Sequence, residues 1–107
     1  MRSRNINSPP ALRGLALRTA IRTSVEKFLD LDRFQLFVFG SEAMGVADRR
    51  SDIDIGILGT EPVPGAIMQQ IRDELETLRT LRVFDLVDFS RVDESFKAEA
   101  LEHAERI

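Results

Sequence analysis

The apolar positions of the chain fall into two distinct periods. Leu17, Ile21, Val25 and Phe28 recur at helical spacing and predict a helix over about 10–29. Ser8-Pro9-Pro10 ahead of them reads as a helix start, with the serine capping and proline in the first turn. Gly14 weakens that first turn by roughly 1 kcal/mol relative to alanine. Residues 34–39 (FQLFVF) form a short, nearly continuous apolar run, the pattern of a strand buried on both faces. The run ends at Gly40-Ser41, a turn signal; residues 42–44 then fit one helical turn closed by Gly45, and 46–51 (VADRRS) form a charged loop. Residues 52–58 (DIDIGIL) alternate strictly, with Ile53, Ile55 and Ile57 on one face and Asp52, Asp54 and Gly56 on the other.

After a loop over 59–65, Ile67, Ile71, Leu75 and Leu78 mark a second helix over about 64–79. Residues 82–89 (RVFDLVDF) predict a third strand. Ser90, with Asp93 three residues on, resembles a helix cap, and the helix behind it carries Phe96, Ala100, Leu101 and Ala104. The order helix, strand, turn, strand, helix, strand, helix predicts a small α/β (α+β) fold. Its mixed sheet has three to four strands, and its helices pack mainly on one face. The expectation is a single domain over 1–107, with residues 1–7 polar and frayed.

Composition narrows the chemistry. In 107 residues, 15 basic side chains face 18 acidic ones, and a net charge of −3 argues against a general nucleic-acid binder. The charge is uneven: residues 1–25 hold five Arg and no acid, whereas 84–107 hold seven acids against three bases. With no cysteine there are no disulfides, thiolate metal sites or cysteine nucleophiles, and the lone His103 excludes any site that needs two imidazoles. No apolar run approaches the ~20 residues that span a bilayer, and residues 1–10 carry no apolar signal core, so the expectation is a cytoplasmic protein with no membrane partner. So short a chain has little room for a separate acceptor-binding domain, which suggests that any acceptor is held by something else.

The informative stretch is 40–57, GSEAMGVADRRSDIDIGI. Asp52 and Asp54, two apart on a strand, send both carboxylates from one face. At ~4 Å and an effective dielectric of ~20, two such charges repel by about 4 kcal/mol. A divalent cation reverses that sign, and hard carboxylate oxygens suit Mg²⁺. The third strand adds Asp85 and Asp88, whose opposite parity puts them on opposite faces; one of them can join the pair, and parity alone does not choose which. Gly40-Ser41 offers backbone N–H groups and a hydroxyl suited to a phosphate. If the first two strands are antiparallel neighbours, Ser41 comes to lie beside Asp52. A phosphate cradle next to a carboxylate pair is the layout of metal-assisted phosphoryl or nucleotidyl transfer.

Gly40-Ser41, ten intervening residues and then Asp52-Ile53-Asp54 resembles the signature of the DNA polymerase β-like nucleotidyltransferase superfamily. The small size and the third strand, VFDLVDF followed by a helix, are similar to the minimal nucleotidyltransferases (MNT proteins) found beside an all-helical HEPN partner. The likeness covers roughly residues 12–104. It implies Asp52, Asp54 and Asp85 as catalytic ligands of two Mg²⁺, and ATP as substrate. Gly40 and Ser41 would bind the nucleotide, with Arg49 and Arg50 as further candidates. The implied reaction moves AMP onto a hydroxyl, with a HEPN-type protein as acceptor and an antitoxin role.

The chain departs from that pattern in two places. Met44 stands where the family often has Arg, and Glu42 brings a negative charge close to the expected phosphates. These departures motivate a second reading, a non-catalytic antitoxin that masks its partner by binding. A third is a subunit of a small-molecule, aminoglycoside-like nucleotidyltransferase that completes its site as a homodimer or hetero-oligomer. Arg18 and Arg22, one helical turn apart, read as a solvated face.

Overall fold

The computed structural model describes residues 12, 14–40, 42–43 and 52–107. Its elements are α1 (Gly14–Glu26), β1 (Phe34–Phe39), β2 (Ile53–Gly59), α2 (Gly65–Leu75), β3 (Phe84–Asp88), α3 (Glu94–Glu102) and β4 (Glu105–Arg106). The strands form one mixed sheet in the order β3-β2-β1-β4. β1 is antiparallel to both β2 and β4, and β2 is parallel to β3. The expected architecture is therefore observed, with four strands.

The alternation in β2 decides which face is the core. Ile53, Ile55 and Ile57 are at most 1% exposed and lie with Leu36 and Val38 of β1 and Leu86 of β3. Leu17, Ile21 and Val25 of α1 and Met68, Ile71 and Leu75 of α2 complete the same cluster. Each such side chain contributes roughly 1.5–3 kcal/mol on burial. α1 and α2 thus cover one face. The opposite face is covered thinly by α3, none of whose residues is buried. There Phe39 meets Phe89 at a ring-centroid distance of 5.4 Å and Phe96 of α3 at 6.2 Å, edge on.

Several boundaries differ from the sequence reading, each for a local reason. α1 is described from Gly14, whose φ of 59° is a left-handed conformation that a regular helix does not continue through, and the predicted start at residue 10 lies outside the described residues. Ser8, Pro9 and Pro10 lie outside the described residues. α2 ends at Leu75, where the N–H groups of Thr77 and Leu78 tighten onto the carbonyls of Glu74 and Leu75. The cap of α3 is Asp93, not Ser90: its carboxylate accepts from the Phe96 N–H at 2.8 Å. β4 went unpredicted because two charged residues carry no period; it is held by the Ile107 N–H, which donates to the Leu36 carbonyl at 3.0 Å.

Candidate active site

β2 turns its polar face to the side away from α1 and α2. In the parallel register with β3, Asp54 stands directly against Asp85, so the two carboxylates leave neighbouring strands on the same face. Asp52, two residues before Asp54, shares that parity and lies just ahead of β2. The Ile53 N–H donates to the Val83 carbonyl at 2.8 Å, which fixes the start of β2 against the segment leading into β3. Asp52 and Asp85 are exposed and Asp54 is half-buried. The Asp54 carboxyl is pushed above its ordinary value, first by burial and then by the charges of Asp85 and Asp52. Asp85 and Asp52 thus both act on the charge of Asp54.

Register also separates Asp85 from Asp88. Asp88 pairs with Ile57 on the core face and is only 6% exposed. Its carboxylate accepts from the Val63 N–H at 2.8 Å, the Ser90 N–H at 2.9 Å and the Arg91 guanidinium at 3.0 Å. It ties the β2–α2 and β3–α3 connections together and takes no part in the carboxylate face.

β1 delivers the turn. Phe39 is the register partner of Asp54, so the chain leaves β1 beside that carboxylate. Gly40 has φ 70°, and a Cβ on it would overlap the Asp54 carboxylate oxygen. Only glycine both adopts this backbone without strain and admits the close approach. Two residues further on, Glu42 accepts from the Arg82 guanidinium at 2.5 Å and lies 3.6 Å from that of Arg18. The charge expected to oppose phosphates is therefore held between two arginines. Arg18 also pairs with Glu105, and Arg22 donates to the Ile107 carbonyl at 2.9 Å. The pair read as a solvated face fastens the β4 end of the chain to α1. Ser41, Met44, Gly45, Arg49 and Arg50 lie outside the described residues.

Among the described residues, no group of three or more His, Cys, Asp or Glu side chains stands close enough to hold a metal ion. The donor chemistry of the Asp54 face nevertheless suits a hard divalent cation: its carboxylates repel one another, and a cation would offset that repulsion. Sequence reasoning missed the Arg82–Glu42–Arg18 contact. Its only trace in the sequence is an arginine at the head of the third-strand pattern.

A small mixed sheet with two core-side helices, carrying acids on its opposite face beside a glycine turn, is an arrangement that fits a nucleotidyltransferase-type domain. The sequence pattern of the family described as "Polymerase beta, Nucleotidyltransferase" matches residues 33–107, and the chain belongs to that family. No curated protein matches it by sequence. Among solved structures it is similar to a toxin–antitoxin complex with AMP-PNP, at 19% identity and TM-score 0.62, covering 82% of this chain and 69% of that one. A MntA–HpeT toxin–antitoxin mutant carrying two Asp-to-Glu substitutions aligns at 16% identity and TM-score 0.68, covering 86% and 71%. A third is the complex of tri-AMPylated Shewanella oneidensis HEPN toxin with MNT antitoxin, at 16% identity and TM-score 0.57, covering 84% and 70%. At these identities the likeness is one of fold.

Proposed function

We propose that the protein is a Mg²⁺-dependent nucleotidyltransferase that moves AMP from ATP to a hydroxyl on a HEPN-type helical partner protein, in an antitoxin role. The observation that carries this reading is the pairing of Asp54 with Asp85 across parallel strands, with Asp52 two residues ahead of Asp54 and Gly40 pressed against Asp54. Family membership supports the reaction class. The AMP-PNP and tri-AMPylated complexes among its structural relatives support the nucleotide and the acceptor.

In the proposed reaction an acceptor hydroxyl oxygen forms a bond to the α-phosphorus of ATP. The bond from that phosphorus to the bridging oxygen of the β-phosphate breaks, pyrophosphate leaves, and the hydroxyl proton passes to a neighbouring carboxylate. Asp52, Asp54 and Asp85 would hold the metal, which when bound offsets the charge developing on the phosphates. Gly40 and Ser41 would receive the terminal phosphates, with Arg49 and Arg50 nearby in sequence. The site is contained in one domain and expected to act in the cytoplasm; among the described residues no helix is long and apolar enough to cross a membrane. The masking reading draws on Met44 and on the charge of Glu42; the pairing of Glu42 with Arg82 and Arg18 offsets that charge and supports the enzymatic reading.

The test is to incubate the protein with ATP, Mg²⁺ and the helical protein encoded beside it, and to follow the partner by intact mass. Addition of AMP units that disappears in Asp52→Asn and Asp54→Asn is expected. Neutralisation of the partner by those same variants, with no AMP added by the wild type, would favour masking instead.

A further inference from the structure

The ion cluster at the end of the sheet joins four separate parts of the chain. Arg82 precedes Asp85 by three residues, Glu42 follows Gly40 by two, Arg18 lies on α1, and Glu105 opens β4 beside Val38. The side chains alternate in sign: Arg82 donates to Glu42 at 2.5 Å, Glu42 lies 3.6 Å from Arg18, and Arg18 pairs with Glu105. Arg82 and Glu42 are the more enclosed members, with side chains 12% and 21% exposed. Ion pairs in such a setting restrain geometry more than the exposed pairs common on surfaces. On one side of residue 41 the chain is pressed onto the Asp54 carboxylate at Gly40. On the other it is tethered through Glu42 to the segment that carries Asp85.

We propose that Arg82 and Arg18 are positioning residues for nucleotide binding: through Glu42 they tie the chain just after β1 to α1 and to the segment ahead of Asp85, so that Gly40 and Glu42 are in place before phosphates arrive. Arg82 then matters to the nucleotide without touching it, and the share of its effect that Glu42 carries passes through that carboxylate. The inference rests on the nucleotide-binding reading given above. It differs from a direct role in one measurable respect. A guanidinium that touched phosphate would keep its value when Glu42 is gone; a positioning guanidinium would not.

The experiment is titration calorimetry with ATP and Mg²⁺ on the full chain, across Arg82→Met, Glu42→Ala and the double variant. Each single variant is expected to weaken ATP by about tenfold, and the double variant by clearly less than the two losses combined. Arg82→Lys, which keeps the charge but not the fork, is expected to fall between. Amide hydrogen exchange at Glu42 and Ala43 is expected to quicken in every variant, and it reads the tether if a variant is less stable. Unchanged ATP affinity in Arg82→Met overturns the proposal. So does an equal further loss from Arg82→Met in the Glu42→Ala background, which is the signature of direct contact. A wild type that binds no ATP overturns both this proposal and the enzymatic reading. A wild type that binds ATP with the expected coupling yet transfers nothing overturns only the latter.

Discussion

Asp54 and Asp85 stand side by side on parallel strands, paired residue for residue, and both carboxylates leave the sheet on the face away from α1 and α2. Neighbouring strands lie about 4.8 Å apart, so two like charges in that relation oppose each other across the pair. Asp54 suffers most, being half-buried with Asp52 two residues away on the same face.

That relationship makes Asp54→Asn a separation-of-function variant. The Asp54 carboxyl is raised in the folded protein relative to its ordinary value of 3.8, because burial and its two acidic neighbours disfavour the charge. Folding therefore favours the protonated form, and ionisation costs stability as pH rises from 3.8 through the folded-state value. In EDTA at neutral pH, Asp54→Asn is expected to melt above the wild type, with the difference vanishing below pH 3.8. Transfer of AMP is expected to be lost. Thermal melts at the two pH values check the first expectation and intact-mass assays the second.

Asp88→Ala is expected to do the opposite. Three donors lose their acceptor at once, two of them backbone N–H groups flanking the connections to α2 and α3. A buried donor left unsatisfied costs about 1–3 kcal/mol. The variant should be destabilised by at least that much in urea unfolding, while the folded fraction keeps its affinity for Mg²⁺ and ATP. Asp85→Asn, an exposed change, should cost little stability and abolish that affinity.

The two acids of strand three also show where sequence reading stopped. Their opposite parity was plain in the residues, and so was the shared face of Asp52 and Asp54. Which of Asp85 and Asp88 joins that face depends on register between β2 and β3, a long-range pairing that no local pattern encodes. The helices and the first three strands were legible because their periods are strong: three isoleucines alternating in β2, and Ile67, Ile71 and Leu75 at helical spacing in α2. The Arg82–Glu42–Arg18 chain was not legible, because its members lie far apart in sequence and meet only once the sheet is assembled.

Gly56 supplies a further test of the carboxylate face. It follows Asp54 by two residues on the same side of β2, and a Cβ there would run into the ring of Phe89. Phe89 is 1% exposed and packs on Phe39, the register partner of Asp54. Gly56→Ala must therefore displace the ring or bend the strand, and overpacking of this kind costs about 1–3 kcal/mol. Phe89→Leu in the same chain should recover part of that loss. A double-mutant cycle read by thermal unfolding checks this, and strict additivity would mean that the ring is not what the new methyl meets.

Gly40→Ala combines two penalties that can be separated. A left-handed backbone costs a residue with a Cβ roughly 1–2 kcal/mol, and at φ 70° alanine bears that wherever its side chain points. The second penalty is steric, because the new methyl would occupy the space of the Asp54 carboxylate. Asp54→Ala vacates that space but leaves the dihedral unchanged. Gly40→Ala is thus expected to be more destabilising in the wild-type background than in Asp54→Ala, with the residual loss in the latter reporting the backbone alone. Equal losses in both backgrounds would place the whole effect in φ and would remove the contact between the turn and the carboxylate from the account of the site.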